Sequence, residues 1–143
     1  MLYEGVLFDL DNTLADRAAA VQRVAARFYA YRPEIQAICS REEAVTVFER
    51  CDGDGYTPKP EMYAAMRRAW PDLDLDFDGF MEWYETEYPL GYSPDERVTG
   101  LIHAIAAHDV PWGIVTNGSA PQHVKIRRLR LDERAHCVLV SDE

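Results

Sequence analysis

The sequence predicts an α/β protein with a parallel sheet and an inserted helical subdomain. Three short apolar runs, at 3–9, 110–118 and 136–143, each end in polar residues, as the buried strands of a parallel sheet do. Between the first two runs the apolar periodicity changes to 3.6 residues over about 75 residues, which is too long for an ordinary connection between parallel strands. The sequence therefore predicts a core at 1–15 and 93–143 and a helical cap at 16–92.

The first run, "YEGVLFD", is continuously apolar at its centre and typical of a strand covered on both faces. Four helices are predicted after it. Ser40 and Glu43 have the spacing of a capping box at the start of the second helix, and Pro71 ends the third, which begins at Thr57. Apolar residues on one helical face indicate the first and the fourth: Val21, Val24, Ala25 and Phe28, then Phe77, Phe80, Met81 and Tyr84.

Two more helices are predicted in the second part of the core. Ser93 and Glu96 form another capping-box pattern, ahead of a helix whose Leu101 and Ile102 face inward. The second strand, "VPWGIVTNG", follows, and residues 120–130 are helical in pattern. The third strand, "HCVLVSDE", is expected to lie beside the second, on the side away from the first. In open α/β sheets, ligands bind at the carboxyl ends of such strands.

Composition excludes several classes of protein. With 143 residues, 48% of them hydrophobic, the protein is able to bury a core. A net charge of −10 without a broad basic face argues against a nucleic-acid polymer as partner, and no run approaches the ~20 apolar residues of a membrane span. The three cysteines are widely spaced, which predicts reduced, buried thiols and a cytoplasmic location.

The residues that follow the first and second strands indicate phosphoryl transfer. Asp9 ends the first strand, Asp11 comes two residues later, and Thr116 ends the second strand. A carboxylate at a rigid strand end can attack phosphorus, and a second acid close by can protonate the leaving oxygen and then activate water. The Thr116 hydroxyl and nearby backbone N–H groups can hold the phosphoryl oxygens. Because two close carboxylates repel each other, Mg²⁺ is expected, with Asp9 and Asp11 as ligands.

These two motifs, "FDLDNTL" and "IVTNG", together resemble those of the haloacid dehalogenase-like (HAD) hydrolase superfamily. The resemblance implies a Rossmann-like three-layer core with a parallel sheet and a helical cap inserted after the first strand. It implies that Asp9 is the nucleophile and that Asp11 is the general acid/base, whose backbone carbonyl binds Mg²⁺. Thr116, with Asn117 beside it, matches the phosphate-binding motif.

The function that the resemblance implies is a Mg²⁺-dependent phosphatase. An acid at position 11 favours phosphatases or phosphomutases over dehalogenases, since a halide leaves without a proton. The substrate would be a small phosphate monoester, such as a nucleotide or sugar phosphate, hydrolysed through an aspartyl-phosphate. A mutase acting on sugar phosphates stays open.

Two further motifs of the family, a lysine and a second acidic group, are expected beyond residue 143, so that the sheet is incomplete and the sequence is truncated at its carboxyl end. Lys125, within "KIRRLR", is interpreted as part of a solvated helix face, with a role as stand-in for the missing lysine as the alternative. Neither Asp142 nor Glu143 is expected to complete the metal site. The exposed edge of the first strand would then need a second copy of the protein, as a homodimer, or a further C-terminal segment to cover it. The alternative function is an incomplete fragment with only a binding or structural role.

The segment "CDGDGY" at 51–56 has some of the residues of a calcium loop. Counted from Asp52, the positions that need glycine and glutamate hold Thr57 and Tyr63, so an EF-hand is excluded. A plain turn is favoured at 52–57, and a loop that closes over the site is the alternative.

Overall fold

A computed structural model describes residues 4–141 of the protein. Three strands and seven α-helices are present in this range, with short 3₁₀ turns at Gly53–Gly55 and Tyr88–Gly91. In sequence order they are β1 (Val6–Phe8), α1 (Arg17–Ala30), α2 (Pro33–Gln36), α3 (Arg41–Asp52), α4 (Lys59–Ala69), α5 (Phe77–Glu87), α6 (Glu96–Ala107), β2 (Trp112–Asn117), α7 (Ala120–Arg128) and β3 (Cys137–Ser141).

The described residues divide into two compact units. One, called the core unit below, contains 4–17 and 92–141, and the other, the cap unit, is Ala18–Gly91. The core unit holds the sheet with α6 and α7, and the cap unit holds α2 to α5 and nearly all of α1.

The core unit is built on a parallel sheet with strand order β1-β2-β3. The register pairs Phe8 with Ile114 and Thr116 with Val140, so that the carboxyl ends of the strands meet at one edge. The prediction of an α/β fold with three parallel strands is confirmed, including the place of β3 beyond β2. The predicted strand positions 3, 142 and 143 lie outside the described residues.

The two faces of this sheet differ in exposure. On one face Trp112 and Ile114 are buried, and the Phe8 ring meets Trp112 edge to face with centroids 6.2 Å apart. The opposite face is formed by the alternate residues of each strand, whose side chains point the other way. Three of these side chains are exposed: Leu7 by 62%, Val115 by 40% and Leu139 by 56%. β1 is an edge strand of the described sheet, and the interpretation of its residues as covered on both faces is wrong for Leu7.

The cap unit is held together by an aromatic cluster. The Phe28 ring packs edge to face on Trp83 with centroids 4.7 Å apart, and Phe48 packs on both. The predicted capping box at the start of α3 is present: Ser40 Oγ accepts from the Glu43 backbone N–H, and the Glu43 carboxylate accepts from the Ser40 N–H at 2.8 Å. Local sequence signals therefore position the helices, and burial of the aromatic residues holds them together.

The loop at 52–57 is a tight turn within the cap unit. Asp52 is buried, and its carboxylate accepts from the Gly55 N–H at 3.1 Å and from the Tyr88 hydroxyl at 3.2 Å. Gly53 and Asp54 both have positive φ, near +55°. The Asp52 carboxylate therefore accepts a hydrogen bond from the backbone of the turn, as the favoured interpretation of this segment predicts.

Some local predictions are wrong in detail. The N-cap of α6 is Asp95, whose carboxylate accepts from the Arg97 N–H, and not Ser93. Leu101 is 45% exposed, whereas Ile102 is buried as expected. All three cysteines are free thiols, but only Cys51 is buried. Within residues 4–141, none of the helices is long and apolar enough to span a membrane.

Candidate active site

A tight turn directly after β1 sets the positions of the two predicted catalytic acids. Asp9 is the first residue after the strand and is exposed. The Leu10 carbonyl accepts from the N–H groups of Leu14 and Ala15 at 3.0 and 2.9 Å, and Asn12 takes a positive φ of 62°. Leu10 and Leu14 are buried, which ties the turn to the core unit. The backbone of Asp11 is therefore fixed in a short hydrogen-bonded turn beside the end of β1.

The Asp11 carboxylate accepts hydrogen bonds from three side chains. The Tyr92 hydroxyl donates to Oδ1 at 2.9 Å, and Gln122 Nε2 donates to Oδ2 at 3.0 Å. Lys125 Nζ lies 3.0 Å from Oδ2 and 3.3 Å from Oδ1, and its side chain is only 9% exposed. The side chain of Asp11 is 24% exposed, so one side of the carboxylate still reaches solvent.

Burial and charge act in opposite directions on Asp11. Burial, the largest single effect, would raise the pKa of this carboxyl group. The positive charge of Lys125 and the hydrogen bonds from Gln122, Lys125 and Tyr92 together outweigh it, and the pKa of Asp11 lies below its ordinary value of 3.8. The carboxylate is therefore ionised at neutral pH.

Gln122 connects Asp11 to the end of β2. Its Nε2 shares two N–H groups among three acceptors: Asp11 Oδ2, Thr116 Oγ1 at 3.0 Å and the Asn117 carbonyl at 2.9 Å. Gln122 and Thr116 are both buried. A single amide group thus contacts the second predicted catalytic acid and the predicted phosphate-binding hydroxyl.

The backbone after β2 is adapted to this glutamine. Gly118 has φ of +137°, and a Cβ at this position would lie 2.8 Å from Gln122 Cγ. Both the torsion and the close approach require glycine. The Oδ1 of Asn117 accepts from Ser141 Oγ of β3 at 2.8 Å.

The interpretation of Lys125 as a solvated helix residue is wrong, because its side chain is buried against Asp11 and over the Tyr92 ring, 4.7 Å from the ring centroid. Sequence reasoning also missed Gln122 and Tyr92. A signal was present in α7: Gln122, Lys125, Ile126 and Leu129 have the spacing of a buried helical stripe. Two polar residues on that stripe indicate polar partners inside the fold.

The described residues do not make up a complete Mg²⁺ site. Within 4–141 there is no group of three or more His, Cys, Asp or Glu residues that could hold a metal ion. Asp9 presents an exposed carboxylate, but the oxygens of Asp11 already accept from three donors. Asp142 and Glu143 lie outside the described range. A Mg²⁺ site at Asp9 would need further oxygen ligands, which water or a phosphate group can supply, and the metal-ligand roles of Asp9 and Asp11 stay predictions.

Comparison with solved structures identifies the fold. YfnB from Bacillus subtilis, named a HAD-hydrolase and bound to magnesium, superposes on this protein with a TM-score of 0.66 at 21% sequence identity. The superposition covers 97% of this protein and 65% of YfnB. The protein has the haloacid dehalogenase-like fold. A hydrolase from Streptococcus pneumoniae TIGR4 gives a TM-score of 0.57 at 15% identity, over 99% of this protein and 68% of its own length.

A third structure with the haloacid dehalogenase-like fold, a HAD phosphatase from Thermococcus onnurineus, gives a TM-score of 0.53 at 20% identity, over 96% of this protein and 62% of its own length. The sequence thus spans about two thirds of the length of these three proteins. Neither a protein-family model nor a curated protein matches the sequence. At these identities the likeness establishes the fold alone.

Proposed function

We propose that this protein is a phosphatase that hydrolyses a small phosphate monoester, such as a nucleotide or sugar phosphate, through an aspartyl-phosphate on Asp9. The observation that supports it most is the arrangement after β1 and β2. An exposed carboxylate follows β1, and two residues later a second carboxylate is linked through Gln122 to the Thr116 hydroxyl, with the buried Lys125 ammonium beside it.

In the first step an Asp9 oxygen attacks phosphorus, the bond from phosphorus to the leaving oxygen breaks, and Asp11 gives that oxygen a proton. In the second step water attacks the phosphorus of the acyl phosphate while Asp11 takes a proton from the water. Inorganic phosphate leaves, and the Asp9 carboxylate is regenerated. Thr116 would donate to a phosphoryl oxygen.

The charge around Asp11 suits the second step in particular. Its lowered pKa keeps the carboxylate ionised and ready to accept a proton. For the first step Asp11 has to be protonated, and an anionic phosphoryl group near Lys125 would compete with Asp11 for the ammonium charge and ease that protonation.

Mg²⁺ is part of the proposal because Asp9 offers an exposed oxygen ligand. When bound, the ion would neutralise charge on the phosphoryl group. Asp9 would hold the ion together with further oxygen ligands, water among them. Chelation with EDTA is expected to remove activity and added Mg²⁺ to restore it. Full activity in the presence of EDTA would show that the reaction does not require a metal ion.

The test is hydrolysis of p-nitrophenyl phosphate by the wild type and by Asp9→Asn. Loss of the nucleophile is expected to lower kcat by at least about 10³-fold. Asp132→Asn is the matched control, because Asp132 is an exposed acid in the turn before β3, and this variant is expected to keep wild-type activity. Equal rates for wild type and Asp9→Asn would refute the proposal. A screen of nucleotide and sugar phosphates then identifies the preferred ester.

Binding without turnover is the second candidate function. It is favoured by the incomplete set of metal ligands among residues 4–141. Calorimetric titration with inorganic phosphate separates the two: saturable binding in a protein that does not hydrolyse any ester of the screen would support the binding role, and turnover that depends on Asp9 would exclude it.

A further inference from the structure

The position of the Asp11 carboxylate depends on residues that are distant in sequence. The turn at 10–15 fixes the Asp11 backbone, but it does not determine the two torsion angles of the Asp11 side chain. Gln122 and Lys125 are separated from Asp11 by 111 and 114 positions, and both contact it from α7. They lie three residues apart on one helical face, so that a single rigid element presents both donors to the same carboxylate.

Gln122 also fixes the distance between the two halves of the site. Its amide lies within 3.0 Å of both Asp11 Oδ2 and Thr116 Oγ1. Because Gln122 is only 6% exposed, water cannot readily replace its hydrogen bonds. Gly118 makes room for the glutamine, as a Cβ there would collide with it.

Burial of the Lys125 ammonium group costs free energy of folding. Removing an ammonium group from water is unfavourable, and replacing a buried ion pair by apolar residues of similar volume is often neutral or stabilising. The same helical stripe carries the buried apolar side chains of Ile126 and Leu129. A cation at this position gives Asp11 a defined orientation that an apolar residue would not give.

We infer that Gln122 and Lys125 are positioning residues, which together hold the Asp11 carboxylate at a fixed place beside Thr116. The inference rests on the proposed phosphatase function, and it adds to it two residues that act through Asp11 and Thr116. Transfer of a proton to the leaving oxygen requires a carboxyl group within hydrogen-bond reach and in the right direction. A displacement of about 1 Å at such a group can lower the rate by ~10²-fold.

The test compares four variants in p-nitrophenyl phosphate hydrolysis. Gln122→Met and Lys125→Met keep side-chain length but remove the donors, and each is expected to lower kcat by about 10- to 100-fold with little change in KM. Lys125→Arg keeps the charge and the donors and is expected to recover kcat to within about 5-fold of wild type. Arg127→Met removes an exposed cation from the same helix and is the matched control, with wild-type kinetics expected.

Loss of stability alone would also lower the apparent kcat, because it lowers the amount of folded enzyme, and Lys125→Arg would restore stability as well. Rates are therefore taken at a temperature at which all variants are folded by circular dichroism. Wild-type kcat in Gln122→Met and Lys125→Met would overturn the inference. So would a loss of kcat in Arg127→Met as large as in Lys125→Met.

Crystal structures of wild type and Gln122→Met distinguish a failure of this inference from a failure of the proposed function. The Asp11 carboxylate is expected to turn away from Thr116 in the variant. If it keeps the same rotamer and the same distance to Thr116, the inference is wrong, whatever the activity. An inactive wild type whose Asp11 moves in Gln122→Met would refute the phosphatase and support the positioning role of α7.

Discussion

The ion pair between Asp11 and Lys125 predicts a measurable coupling in stability. The perturbations are Lys125→Met, Asp11→Asn and the double variant, which together form a thermodynamic cycle. Each single variant leaves one polar partner in a largely buried place, since the two side chains are 24% and 9% exposed. The double variant removes both charges, and its destabilisation is expected to be smaller than the sum of the single effects.

The magnitude follows from distance and burial. At the 3.0 Å separation of the charged atoms, the attraction is about 1.4 kcal/mol in bulk water and about 5.5 kcal/mol at an effective dielectric constant of ~20. The cost of removing both charges from water offsets much of the larger value. Exposed pairs give ~0–1 kcal/mol, and breaking a fully buried pair costs ~3–5 kcal/mol. We therefore expect a coupling of about 1–3 kcal/mol.

Urea denaturation followed by circular dichroism measures this coupling. With a slope of about 2 kcal/mol per molar urea, a loss of about 2 kcal/mol in Lys125→Met lowers the unfolding midpoint by ~1 M. A coupling below about 0.5 kcal/mol would show that the pair behaves like a surface contact, and the assignment of Lys125 to a buried ion pair would be refuted.

The pH dependence of the same cycle has a definite sign. Because the pKa of Asp11 is lowered in the folded protein, the unfolded protein binds the proton more readily. The stability contribution is therefore complete above the ordinary value of 3.8 and is lost as pH falls through the lower, folded pKa. The difference in stability between wild type and Lys125→Met should shrink in acid, and a difference that grows in acid would contradict this pairing.

Other parts of the fold give three further predictions. Hydrogen bonds from the Arg97 side chain hold the pKa of Asp95 at about 2, so that Arg97→Gln should raise the midpoint of the Asp95 carboxyl resonance in an NMR titration; an unchanged midpoint would exclude this pairing. Ser40→Ala removes the acceptor for the Glu43 N–H at the start of α3 and should cost about 1 kcal/mol in urea unfolding, whereas no loss would show that the capping box is not formed in solution. Leu7 is 62% exposed on β1, and we expect the wild type to self-associate with rising concentration in light scattering and Leu7→Lys to associate less, while identical behaviour of the two would show that the surface around Leu7 is not involved.

The secondary structure could largely be predicted because its signals are local. The strands are continuous apolar runs that end in polar residues, and the observed β2 falls inside the predicted 110–118. The capping box of Ser40 lies within four residues of sequence and is present as predicted. Where two candidate caps compete, as Ser93 and Asp95 do before α6, the pattern alone does not decide between them.

The chemical assignment of the site was reached from sequence only in part. Strand ends and motif spacing predict four site residues, Asp9, Asp11, Thr116 and Asn117, and their roles stay predictions. The sequence pattern does not identify the donors around Asp11, and it wrongly predicts a solvated surface for Lys125. Three arginines follow Lys125 within five residues of sequence, and this basic composition obscures its position on the buried stripe of α7.

The sequence by itself determined the parallel strands, the helices and the two acids after β1, because these depend on periodicity and on residues close in sequence. Only the tertiary structure decided which charges meet Asp11. Gln122 and Lys125 reach it across 111 and 114 positions, and such a pairing depends on how α7 packs beside the turn at 10–15. Burial then decides the outcome, since the same lysine that would be solvated on an isolated helix becomes the partner of a carboxylate once water is excluded.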